Sequence, residues 1–252
     1  MEYNLSGKKV LLTGASGGLG LEIAKALLGQ NACVALQYYQ NKGPLLPLHK
    51  TYPKPLSNLY KCDLASTDNC EKLINSVTAD LGTINVLINN AGIYKGAPLK
   101  NNTNWLDVWE ETININLRSA AYLAKMVFNH FVEQDGGTII NISSRAAFRG
   151  DTINYLAYSA SKSGLIGLTK TIAREGGRNN IHCFSIAPGW IYTKMATEIM
   201  DREQLEQIKY EQAIHEWIRP KDIVPMVSLL CTGSMKYATG SNFDINGGSF
   251  MQ

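Results

Sequence analysis

Tyr158 and Lys162 are the side chains of this sequence best placed to do chemistry together. They stand in Tyr158-Ser159-Ala160-Ser161-Lys162, and an i, i+4 spacing on a helix puts both on one face. A free phenol titrates near ~10 and is a poor base at neutral pH. A neighbouring ammonium favours the phenolate and lowers that value. The phenol can then exchange a proton with a carbonyl or an alcohol. Ser144 closes the apolar run Thr138-Ile139-Ile140-Asn141-Ile142-Ser143-Ser144. A serine at the carboxyl edge of a parallel sheet sits where ligands bind. Tyr155 lies one turn before Tyr158 but has no lysine four residues on, so the acid/base role is assigned to Tyr158.

A second constellation lies near the start. Thr13-Gly14-Ala15-Ser16-Gly17-Gly18-Leu19-Gly20 follows an apolar strand-like run and opens a helical one. Glycines there let the backbone turn sharply and approach a pyrophosphate. The helix N-terminus offers free N–H groups to its charge. A dinucleotide would bring a cationic nicotinamide close to the phenol and strengthen the effect of Lys162. The same residues also fit G-x-S-x-G, which would make Ser16 a hydrolytic nucleophile. That rival lacks a histidine after Asp222 or Asp244, so the dinucleotide reading is preferred.

Charge next to the turn selects between cofactors. From Glu22 to Asp63 there is no Asp or Glu, while Lys25, Lys42, Lys50, Lys54 and Lys61 all fall in the interval. An NAD site places a carboxylate ~20 residues past the glycine turn, on the ribose 2′-OH. Here the second strand ends in Gln37-Tyr38-Tyr39-Gln40-Asn41-Lys42. Nothing in it repels a 2′-phosphate, and Lys42 would attract one. NADP(H) is therefore the expected cofactor, with NAD(H) the alternative.

These residues must be positioned by alternating elements. Strands are expected at Lys8–Thr13, Cys33–Leu36, Ile84–Ile88, Thr138–Ile142 and Ile181–Ile186. Helices are expected at Leu19–Leu28 and at about 68–80, 104–133 and 155–175. Repeated βα units predict an α/β fold, a doubly wound parallel sheet of Rossmann type with helices on both faces. Residues 41–58 carry Pro44, Pro47, Pro53 and Pro55. A helix interior does not tolerate such a run, so an irregular loop is expected there.

The whole chain has 252 residues, 45% of them apolar and 18% charged, which excludes intrinsic disorder and suits one domain spanning 1–252. The net charge of +3 is too small and too dispersed to mark a nucleic-acid or membrane surface. No apolar run approaches the ~18 residues of a membrane span. The five cysteines, Cys33, Cys62, Cys70, Cys183 and Cys231, show neither C-x-x-C nor zinc-like spacing. Free thiols, no metal and a cytoplasmic location are expected, and the first residues lack the pattern of a signal peptide.

Taken in order, the motifs resemble the short-chain dehydrogenase/reductase family. They run from the glycine turn through Asp63, Asn89-Asn90-Ala91-Gly92 and Asn116 to Ser144, Tyr158 and Lys162. Pro188-Gly189, Thr193 and Asp244-Ile245-Asn246-Gly247-Gly248 complete the series. The resemblance implies hydride transfer between a nicotinamide and a carbonyl or secondary alcohol. Tyr158 would be the acid/base, Lys162 would tune it and hold the ribose, Ser144 would bind the substrate oxygen, and Asn116 would anchor a water relay. Gly14, Ser16, Gly18, Leu19 and Gly20 would cradle the cofactor, with Tyr38 and Lys42 at the 2′ position. Asp63 and Leu64 would meet the adenine, and Asn90, Ala91 and Gly92 the ribose. Pro188, Gly189, Ile191 and Thr193 would meet the carboxamide.

Members that reduce 3-oxoacyl groups on an acyl carrier protein resemble it most. The stretch Val132-Glu133-Gln134-Asp135 is acidic where a carrier would need basic residues, leaving Arg145, Arg149 and Arg178 to compensate. Residues 190–217 are expected to form a substrate flap, its apolar side made of Trp190, Tyr192, Met195, Ile199, Met200, Tyr210 and Trp217. Ser144 and Tyr158 stand one residue further apart than the pattern, which predicts a bulged loop through Arg145, Phe148, Arg149 and Asp151. A homotetramer, or a homodimer, is implied. A non-catalytic nucleotide sensor is the alternative of another class.

Overall fold

Val10, Leu11 and Leu12 are fully buried, as a central parallel strand must be when helices cover both faces. The computed structural model describes residues 3–100, 104–199 and 201–251. In chain order the elements are β1 (Lys9–Leu12), α1 (Gly18–Gly29), β2 (Cys33–Tyr38), α2 (Leu46–Thr51), β3 (Ser57–Lys61), α3 (Thr67–Leu81) and β4 (Val86–Asn89). Then come α4 (Trp105–Ile113), α5 (Ser119–Glu133), β5 (Gly137–Ile142), α6 (Ala146–Arg149), α7 (Leu156–Gly176) and β6 (Ile181–Pro188). The chain ends with α8 (Lys194–Ile199), α9 (Arg202–Tyr210), α10 (Pro220–Cys231) and β7 (Asn242–Ile245).

The strands form one parallel seven-stranded sheet in the order β3-β2-β1-β4-β5-β6-β7. The winding direction reverses between β1 and β4, and a doubly wound sheet opens its ligand crevice at the carboxyl edge there. Alternation along β1 divides the core. Val10 and Leu12 pack with Ile23 and Leu27 of α1 and with Ile223 and Val227 of α10. Leu11 faces the other layer, with Leu73 and Val77 of α3 and Leu123, Val127 and Phe131 of α5.

Two local expectations are corrected. The proline-rich segment is not an irregular loop: a 3₁₀ turn at Gly43–Leu45 leads into α2. Pro44 and Pro47 sit in the first turns of these short helices, where a missing N–H is harmless. Leu45 and Leu48 are buried beneath them, so two leucines of helical spacing outweigh the prolines. Nor is 104–133 one regular helix. Between α4 and α5 the backbone widens into a π turn, Asn114–Arg118, the kind of local bulge that gathers at functional positions. Among the described residues no helix is long and apolar enough to cross a membrane.

Candidate active site

The loops at the carboxyl edge of the sheet enclose a cleft of about 830 Å³. The glycine turn forms one end. Gly17 caps α1 without a side-chain hydrogen bond, and the first turn of that helix has no acid, so among the described residues no side chain caps its N–H groups. Gly14 has φ of +63°, and a Cβ there would lie 2.8 Å from Cα of Ala91. The turn and the strand that follows β1 in space are therefore fitted together so closely that only glycine serves.

Behind the turn stands Gln37, which is buried. Its Oε1 accepts from N of Gly14 (2.7 Å), and its Nε2 donates to the carbonyl of Cys62 (2.7 Å). One amide thus ties the phosphate turn to the segment bearing Asp63. Asn90 does the same on the other side, donating to the carbonyls of Thr13 (2.9 Å) and Gly14 (3.2 Å).

At the opposite end Ser144, Tyr158 and Lys162, the groups expected to react, converge. Lys162 is buried, and its Nζ donates to the carbonyl of Ile142 at 2.8 Å. Burial brings its ammonium down to about 8. Burial also pushes the Tyr158 phenol up to about 12; Ser144 opposes that rise and the Asp151 carboxylate adds to it. In the protein alone the phenol is therefore a held proton, and Lys162 lies over its ring at 5.7 Å. Burial outweighs the nearby ammonium at Tyr158; the expected lowering belongs to Lys162 together with a bound cationic nicotinamide.

Asn116 is carried by the π turn. Its amide clasps Ile93, accepting from the N–H (2.8 Å) and donating to the carbonyl (2.9 Å), and donates also to Ser161 (3.1 Å). Gly92 lies between the two buried polar groups. A Cβ on it would stand 3.4 Å from both Oδ1 of Asn116 and Nζ of Lys162.

Most of the expected cofactor residues line this cleft. They are Gly14, Ser16, Gly18, Leu19, Gly20, Asp63, Leu64, Asn90, Ala91 and Gly92, then Pro188, Gly189, Ile191 and Thr193, with Ser144, Tyr158 and Lys162. Asn116 stands behind the lining. Tyr38 and Lys42 are not in it: Tyr38 packs on the core, and Lys42 is exposed. A strand alternates its side chains, so Gln37 and Tyr39 take the places Tyr38 was expected to hold, joined by Asn41 and Pro44. No histidine is among the lining residues, which leaves Ser16 without the base a hydrolase needs.

The sequence reading also missed an aromatic wall. Tyr94 stacks on Tyr155 at 3.9 Å and meets Tyr158 (4.7 Å) and Trp190 (5.4 Å) edge-on. Where a bulge was expected, the short helix α6 and its flanks hold Arg145, Arg149 and Asp151 at the cleft. Only the proximity of Tyr94 to Asn90-Ala91-Gly92 could have signalled its place.

The segment expected to form a flap carries α8 and α9, with a bridge between Ile191 and Ile218. Of its expected apolar residues, Trp190 lines the cleft. Tyr192 packs instead on Trp217 (5.3 Å), and Tyr210 is exposed. Met200 lies outside the described residues.

Comparison with known proteins agrees with this geometry. Residues 14–249 match the family model described as enoyl-(acyl carrier protein) reductase. An acetoacetyl-CoA reductase of Shinella zoogloeoides is 34% identical over 240 residues, covering 95% of this chain and 97% of that one. The structure of a short-chain dehydrogenase/reductase from Serratia marcescens superposes with a TM-score of 0.90 at 28% identity, over 98% of this chain and 99% of that one. An NADPH-dependent 3-quinuclidinone reductase from Rhodotorula rubra superposes equally, TM-score 0.90 at 25% identity, over 100% and 94%.

Proposed function

Because this chain belongs to the short-chain dehydrogenase/reductase family, we propose that it reduces a carbonyl compound to a secondary alcohol with NADPH, Tyr158 supplying the proton. The observation that carries this reading is the convergence of Ser144, Tyr158 and Lys162 at one end of a cleft whose other end is the glycine turn. The fit to a dinucleotide rests on that cradle: Gly14, Gly18 and Gly20 leave backbone where a Cβ on each would come within 2.8 Å of a neighbouring atom. Gly14, Ser16, Gly18, Leu19 and Gly20 would hold the phosphates, Asp63 and Leu64 the adenine, and Asn90 to Gly92 the ribose. When bound, the nicotinamide supplies the hydride.

The chain's own groups do the rest. Ser144 Oγ orients the carbonyl oxygen, and Tyr158 Oη gives it a proton as the carbonyl carbon takes up the hydride. A phenol held protonated suits reduction. Lys162 and Asn116 flank the open space at Gly92, and a water there would return the proton to Tyr158. Pro188, Gly189, Ile191 and Thr193 would fix the ring.

NADPH over NADH is supported by the neutral character of Gln37, Tyr39 and Asn41, since no carboxylate there repels a 2′-phosphate. Support from Lys42 is withdrawn, because it does not line the cleft. A 3-oxoacyl thioester is the second reading, favoured by the relatives. Docking to a carrier would then fall to Arg149 and Arg178, which are exposed, since Arg145 is buried. The enzyme is proposed to work in the cytoplasm as a homotetramer. The test is turnover of ketones, β-ketoesters, 3-oxoacyl thioesters and alcohols with each cofactor. A preference for NADH overturns the cofactor assignment. Binding of NADPH without turnover of any member would make the chain a nucleotide sensor instead.

A further inference from the structure

Arg145 follows Ser144 directly, lines the same cleft, and has no part in the hydride or proton steps. Only 4% of it is exposed. A buried guanidinium needs partners for five N–H donors as well as for its charge. Its Nη2 donates to Oε2 of Glu211 at 3.1 Å. Its Nη1 is buried with no hydrogen-bond partner among the described residues. An orphaned donor of this kind calls for an explanation.

The surrounding charges sharpen the point. Glu211 directly follows α9, on the flap, and the same Oε2 also serves Arg149, 3.6 Å from its Nη1. One half-exposed carboxylate is thus shared by two guanidiniums. Of the acids lining the cleft, Asp151 bears on Arg145 through its charge, but its oxygens accept elsewhere, from Oη of Tyr94 (3.3 and 3.4 Å) and from N of Thr152 (2.7 Å). The fixed cation therefore belongs to the floor of the cleft, while the only carboxylate hydrogen-bonded to it among the described residues, Glu211, belongs to the flap segment.

We infer that Arg145 is a specificity residue, and that the substrate is an oxo acid whose carboxylate binds this guanidinium while Ser144 and Tyr158 hold its carbonyl. In the free enzyme Glu211 occupies part of that site. The substrate carboxylate takes over, using Nη1 and displacing or joining Glu211 as the flap adjusts. Planar carboxylate and guanidinium match two bonds to two, which would also fix the face of the carbonyl presented to the hydride. This deepens the reductase reading and rests on it.

The experiment pairs charge with neutrality on the full chain with NADPH. Pyruvate, acetoacetate and levulinate are each compared with their methyl esters in wild type, Arg145→Gln and Glu211→Gln. In wild type, at least one acid should exceed its ester in kcat/KM by about 30-fold or more, the scale of a charge-assisted hydrogen-bonded pair. Arg145→Gln should collapse that ratio, whatever it does to absolute rates. Glu211→Gln should lower KM for the acid relative to the ester. Esters equal to or better than acids in wild type, or a ratio unmoved by Arg145→Gln, overturn the proposal.

A binding arm keeps it testable without turnover and without the variant. Malonate, which has no ketone, should bind wild type in a calorimetric titration where neutral malonamide does not. If Arg145→Gln fails to fold, this contrast and the wild-type acid-to-ester ratio decide. Ester turnover with no anion preference removes the proposal and leaves the reductase. Malonate binding that depends on Arg145, with no turnover of any ketone, removes the reductase reading and the oxo-acid substrate with it, and leaves only an anion site at Arg145. No turnover and no malonate binding removes both.

Discussion

The chemistry of Tyr158 and Lys162 is set by burial as much as by their spacing. With Tyr158 pushed up to about 12 and Lys162 brought down to about 8, the phenol is the stored proton, and the ammonium is the group that titrates near working pH. Tyr158→Phe should therefore lower kcat by about 10²–10⁴, the range of a single general acid, while NADPH titration gives a dissociation constant within a few-fold of wild type. Near-normal kcat would refute the assignment. Lys162 predicts a stability effect with a definite sign. Its native value lies below its unfolded value, so the unfolded chain binds more protons between about 8 and the ordinary lysine range. Stability must then rise with pH through that window, as the unfavourable buried charge is relieved. The shift corresponds to about 3 kcal/mol, at about 1.4 kcal/mol per pKa unit. Lys162→Met should lack that increment, which is checked by denaturant midpoints of both proteins at pH 7.5 and 10. Parallel pH dependences would refute it. The residue types and spacing of this pair were legible in the sequence. The balance of burial against charge was not, because it depends on how the segment from Ile142 to Asp151 packs back over α7.

Elements hold these residues through backbone fits that allow little variation. At Gly14 the left-handed conformation alone would cost an alanine roughly 1–2 kcal/mol, and contact with the Ala91 backbone adds to that. Gly14→Ala should lower Tm and NADPH affinity together, measured by thermal melting and cofactor titration. Loss of affinity with an unchanged Tm would mean that the turn is less tightly fitted than its 2.8 Å approach implies. The helices were legible where the apolar period was regular, as in α1, α3 and α7. The π turn at Asn114–Arg118 was not, because its cause is tertiary: Asn116 is drawn to both backbone groups of Ile93. Nor was α2, since prolines signal against a helix until their positions in its first turn are known. At the end of β2 the expectation slipped by one residue. The side chains alternate there, so Gln37 and Tyr39 face the cleft where Tyr38 was expected.

The whole molecule brings one sheet's carboxyl edge, one cleft and one flap together, and leaves apolar side chains outside them. Leu106 of α4 is 58% exposed, Ile153 is 59% exposed, and Leu156 at the start of α7 is 38% exposed. A subunit interface of the proposed homotetramer would cover this surface. Scattering and sedimentation should report an assembly, and Leu106→Glu should weaken it. A monomeric wild type would refute the homotetramer. Taken by itself, the sequence determined the parallel α/β architecture, the glycine turn and the acid/base pair, because these depend on short-range period, spacing and residue chemistry. Folding alone decided which of the cationic side chains matter. Lys42, near the turn in sequence, ended exposed and outside the cleft. Arg145, which the sequence offered only as a surface contact, was buried beside Ser144 against Glu211, a glutamate 66 residues away. Burial and long-range charge pairing arise from packing between segments that are remote in the chain, and no local pattern encodes them.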